Sequence, residues 1–464
     1  MAFPSIRFVR GRNLFGGALI AVTAVIGAAV TPGADTGLAA AGPPEPTPTA
    51  HGGTPAVAFA DDVAMIAVEG EAQRYWSRWR GPSGQGLVQG DGYPATWSDT
   101  ENVRWKVAVP GSGNSSPIVW GDRLFLTTAL DGGRGVAMLS FRISDGTMLW
   151  QTELPRPNVP ESPHPKNGHA SSTPSTDGKL VYAYFGNHGL AALDFDGNIV
   201  WRRAFGQILA SHGTAGSPLL HDGKVIVYQD MRGGTDIGSF VAAFDAATGD
   251  TVWWTDREEN TGWGTPIAIR VDDHEEIVVS SQRKVYAYSP DDGRELWQVD
   301  GNLFEVIPTP VVGHGLVFAS SGRAGPTLAI RPGGRGNVTD SHLAWSSPKG
   351  SPFVPSTVVH GDYLYMINDM SSILTVYHAP TGVVAYQGRL GNGGRESFSA
   401  SPVVVGDRIF ITNDAGETFV VATGSEFTLL HTNRLGEGVL ASPALVDGAW
   451  YFRTTERLLA IGTE

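Results

Sequence analysis

The sequence predicts an all-β protein, an eight-bladed β-propeller of four-stranded antiparallel blades whose last blade is closed by a strand from the N-terminal side. Three observations support this fold class. A unit that begins with a small residue and proline recurs eight times, with threonine in the proline position of the sixth copy, and a turn followed by an aromatic residue recurs in phase with it. The 464 residues include 60 glycines, 30 prolines and 13 tryptophans, a composition typical of many short strands joined by tight turns.

The first residues predict export. Arg7, Arg10 and Arg12 form a basic start. An uncharged apolar run, Leu14 to Val30, follows, and a stretch of small residues ends at Ala41. This order is typical of a signal peptide, which we assign to residues 1–41. The alternative is a retained membrane anchor, because the apolar run is only slightly short of a full span. We expect a periplasmic or secreted protein with no transmembrane domain after signal removal.

Residues 42–74 are predicted to be a flexible linker, because most of this stretch is rich in proline, alanine and threonine and has few charges. The segment Tyr75 to Pro82 opens the folded part, so the propeller is assigned to residues 75–464. A closed ring of blades buries its own core, and a monomer is therefore expected.

Charge and cysteine content exclude several functions. The net charge is -13 and no run is rich in lysine or arginine, which argues against a nucleic-acid partner. The chain has no cysteine, so disulfides, cysteine catalysis, thiolate metal sites and a lipid anchor on cysteine are all excluded.

Each repeat begins with a small residue and a proline, continues through a glycine-containing turn and enters a β-branched strand. The proline slots lie at Pro117, Pro174, Pro218, Pro266, Pro310, Thr357, Pro402 and Pro443, at intervals of 41 to 57 residues. That period is typical of propeller blades. Proline suits the first residue of a strand, where its missing N–H removes no ladder bond.

An aromatic residue marks the last strand of most repeats and follows a turn that usually contains glycine. These predicted structural docking aromatics are Trp105, Trp150, Trp201, Trp253, Trp297, Trp345 and Tyr386. Trp105 belongs to an orphan strand, Asn102 to Val107, whereas the final repeat stops before any such strand. We therefore expect this front strand to complete the eighth blade, which removes two free sheet edges.

The segment Ala243 to Trp253 resembles the tryptophan-docking motif of pyrroloquinoline-quinone (PQQ)-like repeats, in the quinoprotein-like superfamily. The resemblance extends from about Trp76 to the C-terminus and implies that each tryptophan wedges between neighbouring blades. It implies one of two functions. Quinoprotein dehydrogenases hold PQQ and calcium in the central channel, beside a disulfide of adjacent cysteines. A second group, which includes the propeller of the outer-membrane β-barrel assembly machinery, binds partners.

The chain lacks those cysteines, and its sequence shows no motif for the acid and calcium positions of the dehydrogenases. No cofactor, metal site or catalytic residue is therefore predicted. We expect a non-catalytic binding or scaffold propeller that takes a protein, peptide or saccharide ligand on one face. The alternative is a quinoprotein oxidoreductase that uses PQQ and calcium in the channel.

Polar residues just ahead of the prolines predict a candidate ligand-binding rim around the channel. They are Asn167, His169, His212, Glu305, Arg395, Glu396 and Glu437. Histidines and carboxylates that converge on a channel can bind a metal or a polar ligand. Simple hydration of a polar rim is the alternative, and a hydrolase or lyase built on His169, His212 and Glu437 is a third. A proline-rich insertion, Leu154 to His169, is predicted to form a loop over one face.

Overall fold

The computed structural model describes residues 49–50, 60, 62–88, 90–157, 161–233, 237–393 and 396–463. The predicted signal peptide lies outside the described residues, as do residues 42–48, 51–59 and 61 of the predicted linker. Among the residues that are described, no helix is long and apolar enough to span a membrane. The fold is an eight-bladed β-propeller, which confirms the predicted fold class.

Among the described residues, four strands precede the first blade: β1 (Thr49–Ala50), β2 (Val63–Met65), β3 (Leu87–Val88) and β4 (Val103–Ala108). Blade I contains β5 (Ile118–Trp120), β6 (Arg123–Leu130), β7 (Gly135–Arg142) and β8 (Met148–Glu153). Blade II contains β9 (Ser175–Thr176), β10 (Leu180–Tyr184), β11 (Leu190–Asp194) and β12 (Ile199–Arg203). Blade III contains β13 (Leu219–His221), β14 (Lys224–Gln229), β15 (Ser239–Asp245) and β16 (Thr251–Arg257). Blade IV contains β17 (Ile267–Val271), β18 (His274–Ser280), β19 (Lys284–Tyr288) and β20 (Glu295–Asp300).

Blade V contains β21 (Val311–Gly313), β22 (Leu316–Ser320), β23 (Thr327–Ile330) and β25 (Leu343–Ser347), with β24 (Gly336–Asn337) and helix α1 (Thr339–His342) inserted before its last strand. Blade VI contains β26 (Val358–His360), β27 (Tyr363–Asn368), β28 (Ile373–His378) and β29 (Val383–Arg389). Blade VII contains β30 (Val403–Val405), β31 (Arg408–Thr412), β32 (Glu417–Ala422) and β33 (Leu429–Arg434). Blade VIII contains β34 (Ala444–Val446), β35 (Ala449–Arg453) and β36 (Arg457–Ile461). Short 3₁₀ turns span Gly70–Arg74, Asp131–Gly133 and Gly186–His188.

The eighth blade is completed by β4, as predicted. This strand pairs antiparallel with β36, and Trp105 lies opposite Ala460. At the same junction Arg453 donates to Ser115 Oγ at 2.8 Å and to the carbonyl oxygen of Thr127 at 2.6 Å. The ring is therefore closed by a sheet ladder and by hydrogen bonds between its last and first blades.

The hydrophobic core lies between adjacent blades rather than in one centre. Phe125 of blade I packs in one cluster with Val181 of blade II, for example, and the other clusters join their neighbours in the same way. The turn chemistry that the sequence predicts also recurs. Asp222 and Gly223 both have positive φ, 44° and 68°, as the tight hairpin between β13 and β14 requires.

Five of the predicted docking aromatics share one geometry. In each of them the indole Nε1 donates to a carbonyl oxygen of the next blade, at 2.8–2.9 Å. The five residues are Trp105, Trp150, Trp201, Trp253 and Trp345. A turn glycine of that next blade lies against the indole, so that a Cβ added to Gly249 would lie 2.6 Å from Trp201. Trp297 donates instead to Glu276 in its own blade, at 2.8 Å. The ring of Tyr386 lies 6.1 Å from that of Phe427.

The strands of a blade alternate in direction, so the two faces of the disc differ. The loop face carries the connections between blades and the hairpins between second and third strands. The turn face carries the remaining two turns of each blade. The innermost strand of every blade leaves one edge toward the central channel, because it pairs within the blade on its other edge only.

Residues 62–88, here called the plug, fill the turn-face half of the channel. Hydrogen bonds join the plug to the free edges of the inner strands, from Val119 N to Trp76 O, Thr176 N to Ser77 O, Ile66 N to Ala268 O, Val312 N to Gln85 Oε1, and Val404 N to Gly86 O. Two plug strands add to blades, β2 to β17 and β3 to β30. Residues 62–74, which the sequence assigned to the linker, therefore belong to the folded unit.

Candidate functional site

A cavity of about 330 Å³ occupies the loop-face half of the channel, and we call it the chamber. Trp79 of the plug lines its inner end. Its volume is at the lower end of the range for small-ligand sites. Because the plug fills the other half of the channel, a ligand would approach the chamber from the loop face.

The wall of the chamber is a belt of hydroxyl residues, each immediately ahead of a proline slot. The belt consists of Ser116, Thr173, Ser217, Thr265, Thr309, Ser356, Ser401 and Ser442. From Ser116 to Ser442, the backbone N–H of each belt residue donates to the hydroxyl of the next, in seven consecutive bonds of 2.8–3.1 Å. The belt therefore ties blades I to VIII in series around the channel, and the hydrogen bonds of Arg453 join blade VIII to blade I.

Sequence analysis missed the belt as a feature of the site, although the signal was present. A serine or threonine stands ahead of all eight proline slots, and the repeat was interpreted only through the proline and the turn. Trp79 was likewise not predicted as a site residue, since it lies before the first repeat, in the segment that opens the fold.

The described part of the proline-rich insertion crosses the mouth of the chamber, as a strap of residues 161–169. The Glu161 carboxylate anchors the strap by accepting from Asn187 N at 2.9 Å and from Thr214 Oγ1 at 3.0 Å. Burial raises the pKa of Glu161. At the other end, Lys166 Nζ lies 2.8 Å from the Asp414 carboxylate in blade VII.

Beside the strap, aromatic and charged side chains meet at the mouth. The His212 ring stacks on Trp263, with centroids 6.0 Å apart. Arg323 pairs with Glu305 and lies over the ring of Phe353, 5.5 Å from its centroid. His212, Glu305 and Arg323 all have positive φ, between 55° and 66°. This left-handed backbone conformation costs a non-glycine residue of order 1–3 kcal/mol, and it is typical of ligand-binding sites.

Exposed apolar side chains flank this side of the mouth. Phe304 is 68% exposed, Leu303 51% and Met370 40%. Asp369, next to Met370, accepts from the Phe353 backbone N–H at 2.6 Å, and burial raises its pKa to about 6.

The structure brings together some of the predicted rim residues. Asn167, His212 and Glu305 line the chamber. His212 Nε2 lies 3.9 Å from Glu305 Oε1, and Asn167 donates to the carbonyl oxygen of His212 at 2.8 Å. These three positions therefore share one site at the mouth.

The other predicted rim residues lie elsewhere. His169 packs against Gly133, and burial lowers its pKa. Glu396 accepts from Asn413 at 2.7 Å, and Glu437 pairs with Arg457. Arg395 lies outside the described residues.

The set proposed for a hydrolase or lyase is thus not assembled. His212 lines the chamber, whereas His169 and Glu437 do not line it.

The chamber does not fit a calcium-bound quinone. Calcium takes six to eight oxygen ligands, several of them carboxylates. Glu305 is the one carboxylate residue among the described residues that line the chamber, and Arg323 already pairs with it. In the described part of the chain no group of three or more histidine, aspartate or glutamate residues could hold a metal ion.

Three further arginines are buried and do not line the chamber. Arg78 and Arg80 flank Trp79 in the plug, and Arg453 lies at the junction of blades VIII and I. Arg80 Nη2 donates to the carbonyl oxygens of Gln85 and Thr357, both at 2.7 Å, while its Nε and Nη1 have no hydrogen-bond partner among the described residues. Burial lowers the pKa of Arg80 and of Arg453 to about 9.

A family model agrees with this architecture. The family described as outer membrane protein assembly factor BamB matches residues 140–388, which is more than half of the chain. The chain belongs to this family. Membership confirms the resemblance to PQQ-like repeat proteins on which the fold prediction rested.

Solved structures of both functional groups share the fold. BamB from Moraxella catarrhalis aligns with a TM-score of 0.55 at 13% identity, over 77% of this chain and 96% of its own. A europium-containing methanol dehydrogenase gives a TM-score of 0.59 at 12% identity, over 83% and 90%. The quinohemoprotein alcohol dehydrogenase from Comamonas testosteroni gives 0.61 at 11%, over 85% and 81%. At such identities the likeness concerns the fold alone. No curated protein sequence matches the chain.

Proposed function

We propose that the protein is an exported, non-catalytic binding propeller that holds a polypeptide partner on its loop face, at the mouth of the chamber. The observation that carries this proposal is the one-sided channel. The plug occupies the turn-face half, whereas aromatic, charged and amide side chains line the loop-face half. A rigid ring that presents such loops suits binding, because the scaffold fixes their positions.

The apolar residues beside the mouth support a polypeptide as the partner. Leu303 and Phe304 precede Glu305, so an exposed apolar pair adjoins the ionic pair of the chamber mouth. Exposed apolar side chains that neighbour polar anchors are typical of protein interfaces. The family's description as an outer membrane protein assembly factor points in the same direction.

Export is part of the proposal and is supported by the sequence of residues 1–41, with its basic start, apolar run and small-residue end. A periplasmic or secreted location follows from it. Mass spectrometry of the protein purified from its native cell envelope would test this, since a mature N-terminus near residue 42 is expected.

The binding proposal is tested with a random peptide library displayed on phage. Peptides selected on the wild-type protein should bind Phe304→Glu at least about tenfold more weakly, because an interface anchor is lost. Val383→Glu is the matched control, since Val383 is 54% exposed but lies in β29, at the outer rim. Both changes are at exposed positions, so thermal unfolding should stay near that of the wild type. Equal binding by all three proteins, or no selected peptide, would contradict the proposal.

A further inference from the structure

The belt hydroxyls leave a ring of hydrogen-bond donors around the chamber. Seven of them accept a hydrogen bond from a backbone N–H. That bond uses a lone pair on the hydroxyl oxygen and leaves the O–H group able to donate. None of these seven donates to an acceptor among the described residues, and all line the chamber. Donors that converge on a cavity from every side favour a ligand rich in acceptors.

Positive charge without a carboxylate partner lies close to this ring. Arg80 donates to the carbonyl of Thr357, the residue directly after Ser356 of the belt, and its Cζ lies 5.8 Å from the centroid of the Trp79 ring. Arg453 donates to Ser115, the residue directly before Ser116 of the belt. Both arginines are 2% exposed, and neither forms an ion pair within the described part of the chain. A buried charge left unpaired is costly, so an anion nearby would be stabilised.

The acidic groups at the mouth do not cancel this charge. Glu305 is paired with Arg323, and Asp414 with Lys166. Asp369 is the further acid on this side, and its carboxylate already accepts the Phe353 N–H. Fixed donors therefore line the interior of the chamber. The unpaired cations Arg80 and Arg453 do not line it, but each is hydrogen-bonded to a residue that adjoins the belt.

We infer that the chamber is an anion site that receives the carboxylate of an organic ligand, with the apolar body of the ligand against Trp79, Trp263 and Phe353. Carboxylates accept several hydrogen bonds at once, and bonds of this type are strengthened by charge. The aromatic rings that line the chamber supply flat apolar contacts beside the donors. The carboxylate could come from a free organic acid or from the C-terminus of a polypeptide. The second source rests on the proposed function.

Two pairs of probes test the chemistry and its source. The first pair is 3-phenylpropanoate and its neutral amide. The second is a glycine-serine peptide that ends in phenylalanine, prepared as the free acid and as the C-terminal amide. Calorimetry and tryptophan fluorescence, with EDTA present, report binding to the full mature chain. We expect an acid to bind at least about tenfold more tightly than its amide, because charge-assisted hydrogen bonds are lost in the amide. Binding by phenylpropanoate alone identifies a free acid as the source.

Three variants locate the binding site. Arg80→Gln keeps a side-chain N–H donor but removes the charge, and it should weaken binding of the acids severalfold. Arg323→Gln likewise removes a charge and keeps an N–H donor, but at the mouth of the chamber. The Arg323 side chain is 61% exposed, so this variant should fold as the wild type does. Arg142→Gln is the control, because Arg142 is also exposed and paired with a carboxylate but lies on the turn face.

The anion inference fails if each amide binds as well as its acid, if binding requires calcium, or if both Arg80→Gln and Arg323→Gln bind the acids as the wild type does. It also fails if neither acid binds. Library peptides that bind equally as acids and amides would leave the proposed function standing and overturn the anion site. If the acids bind but no library peptide does, the anion site would stand and the proposed function would be overturned.

Discussion

Replacing Thr309 by valine tests whether the belt stabilises the ring. Thr309 is 3% exposed, and its hydroxyl accepts the N–H of Thr265 at 2.8 Å. Valine keeps the size and β-branching but removes the acceptor, so a buried N–H loses its partner. Such a loss costs about 1–3 kcal/mol of the free energy of unfolding. Thr309→Ser is the matched control, since it keeps the hydroxyl and loses one methyl group, worth about 0.8 kcal/mol.

The assay is urea unfolding followed by both fluorescence and circular dichroism, with coincident transitions required before free energies are compared. We expect the order wild type, Thr309→Ser, Thr309→Val, from most to least stable, with similar denaturant slopes. A valine variant as stable as the serine variant would refute the reasoning, because the hydroxyl would then contribute nothing beyond its volume.

Two further substitutions test the electrostatics and the blade contacts. Burial raises the pKa of Asp369 from an ordinary 3.8 to about 6, so the folded protein holds the proton more tightly and stability should fall as pH rises from about 4 to about 6. Asp369→Asn should remove that slope and stabilise the protein at pH 7 by up to about 3 kcal/mol, and an unchanged pH profile of thermal unfolding would contradict this. Gly249→Ala should lower the free energy of unfolding by about 1–3 kcal/mol more than Gly361→Ala does. Both glycines have positive φ, but only the Cβ added at Gly249 meets Trp201, whereas nothing lies within 4 Å of one added at Gly361. Equal melting temperatures for the two alanine variants would show that the indole contact is not tight.

The candidate site was predicted only in part, for a physical reason. Asn167, His212 and Glu305 were identified because each stands shortly ahead of a proline slot, and the repeat brings equivalent positions to one rim. His169 and Glu437 occupy similar sequence positions, but Gly133 and Arg457 engage their side chains instead. Repeat position fixes where a backbone lies, whereas side-chain direction depends on neighbours that differ from blade to blade.

The sequence by itself determined the number of blades, the strand that closes the ring and the family, since proline slots, turn glycines and phased aromatics are local chemistry that repeats. Tertiary structure alone decided what fills the channel. Lys166 reaches Ser397, 231 residues away, and the plug contacts the inner strands of blades from both halves of the chain. Such contacts carry no period in the sequence, because they join segments that the closed ring brings together only once.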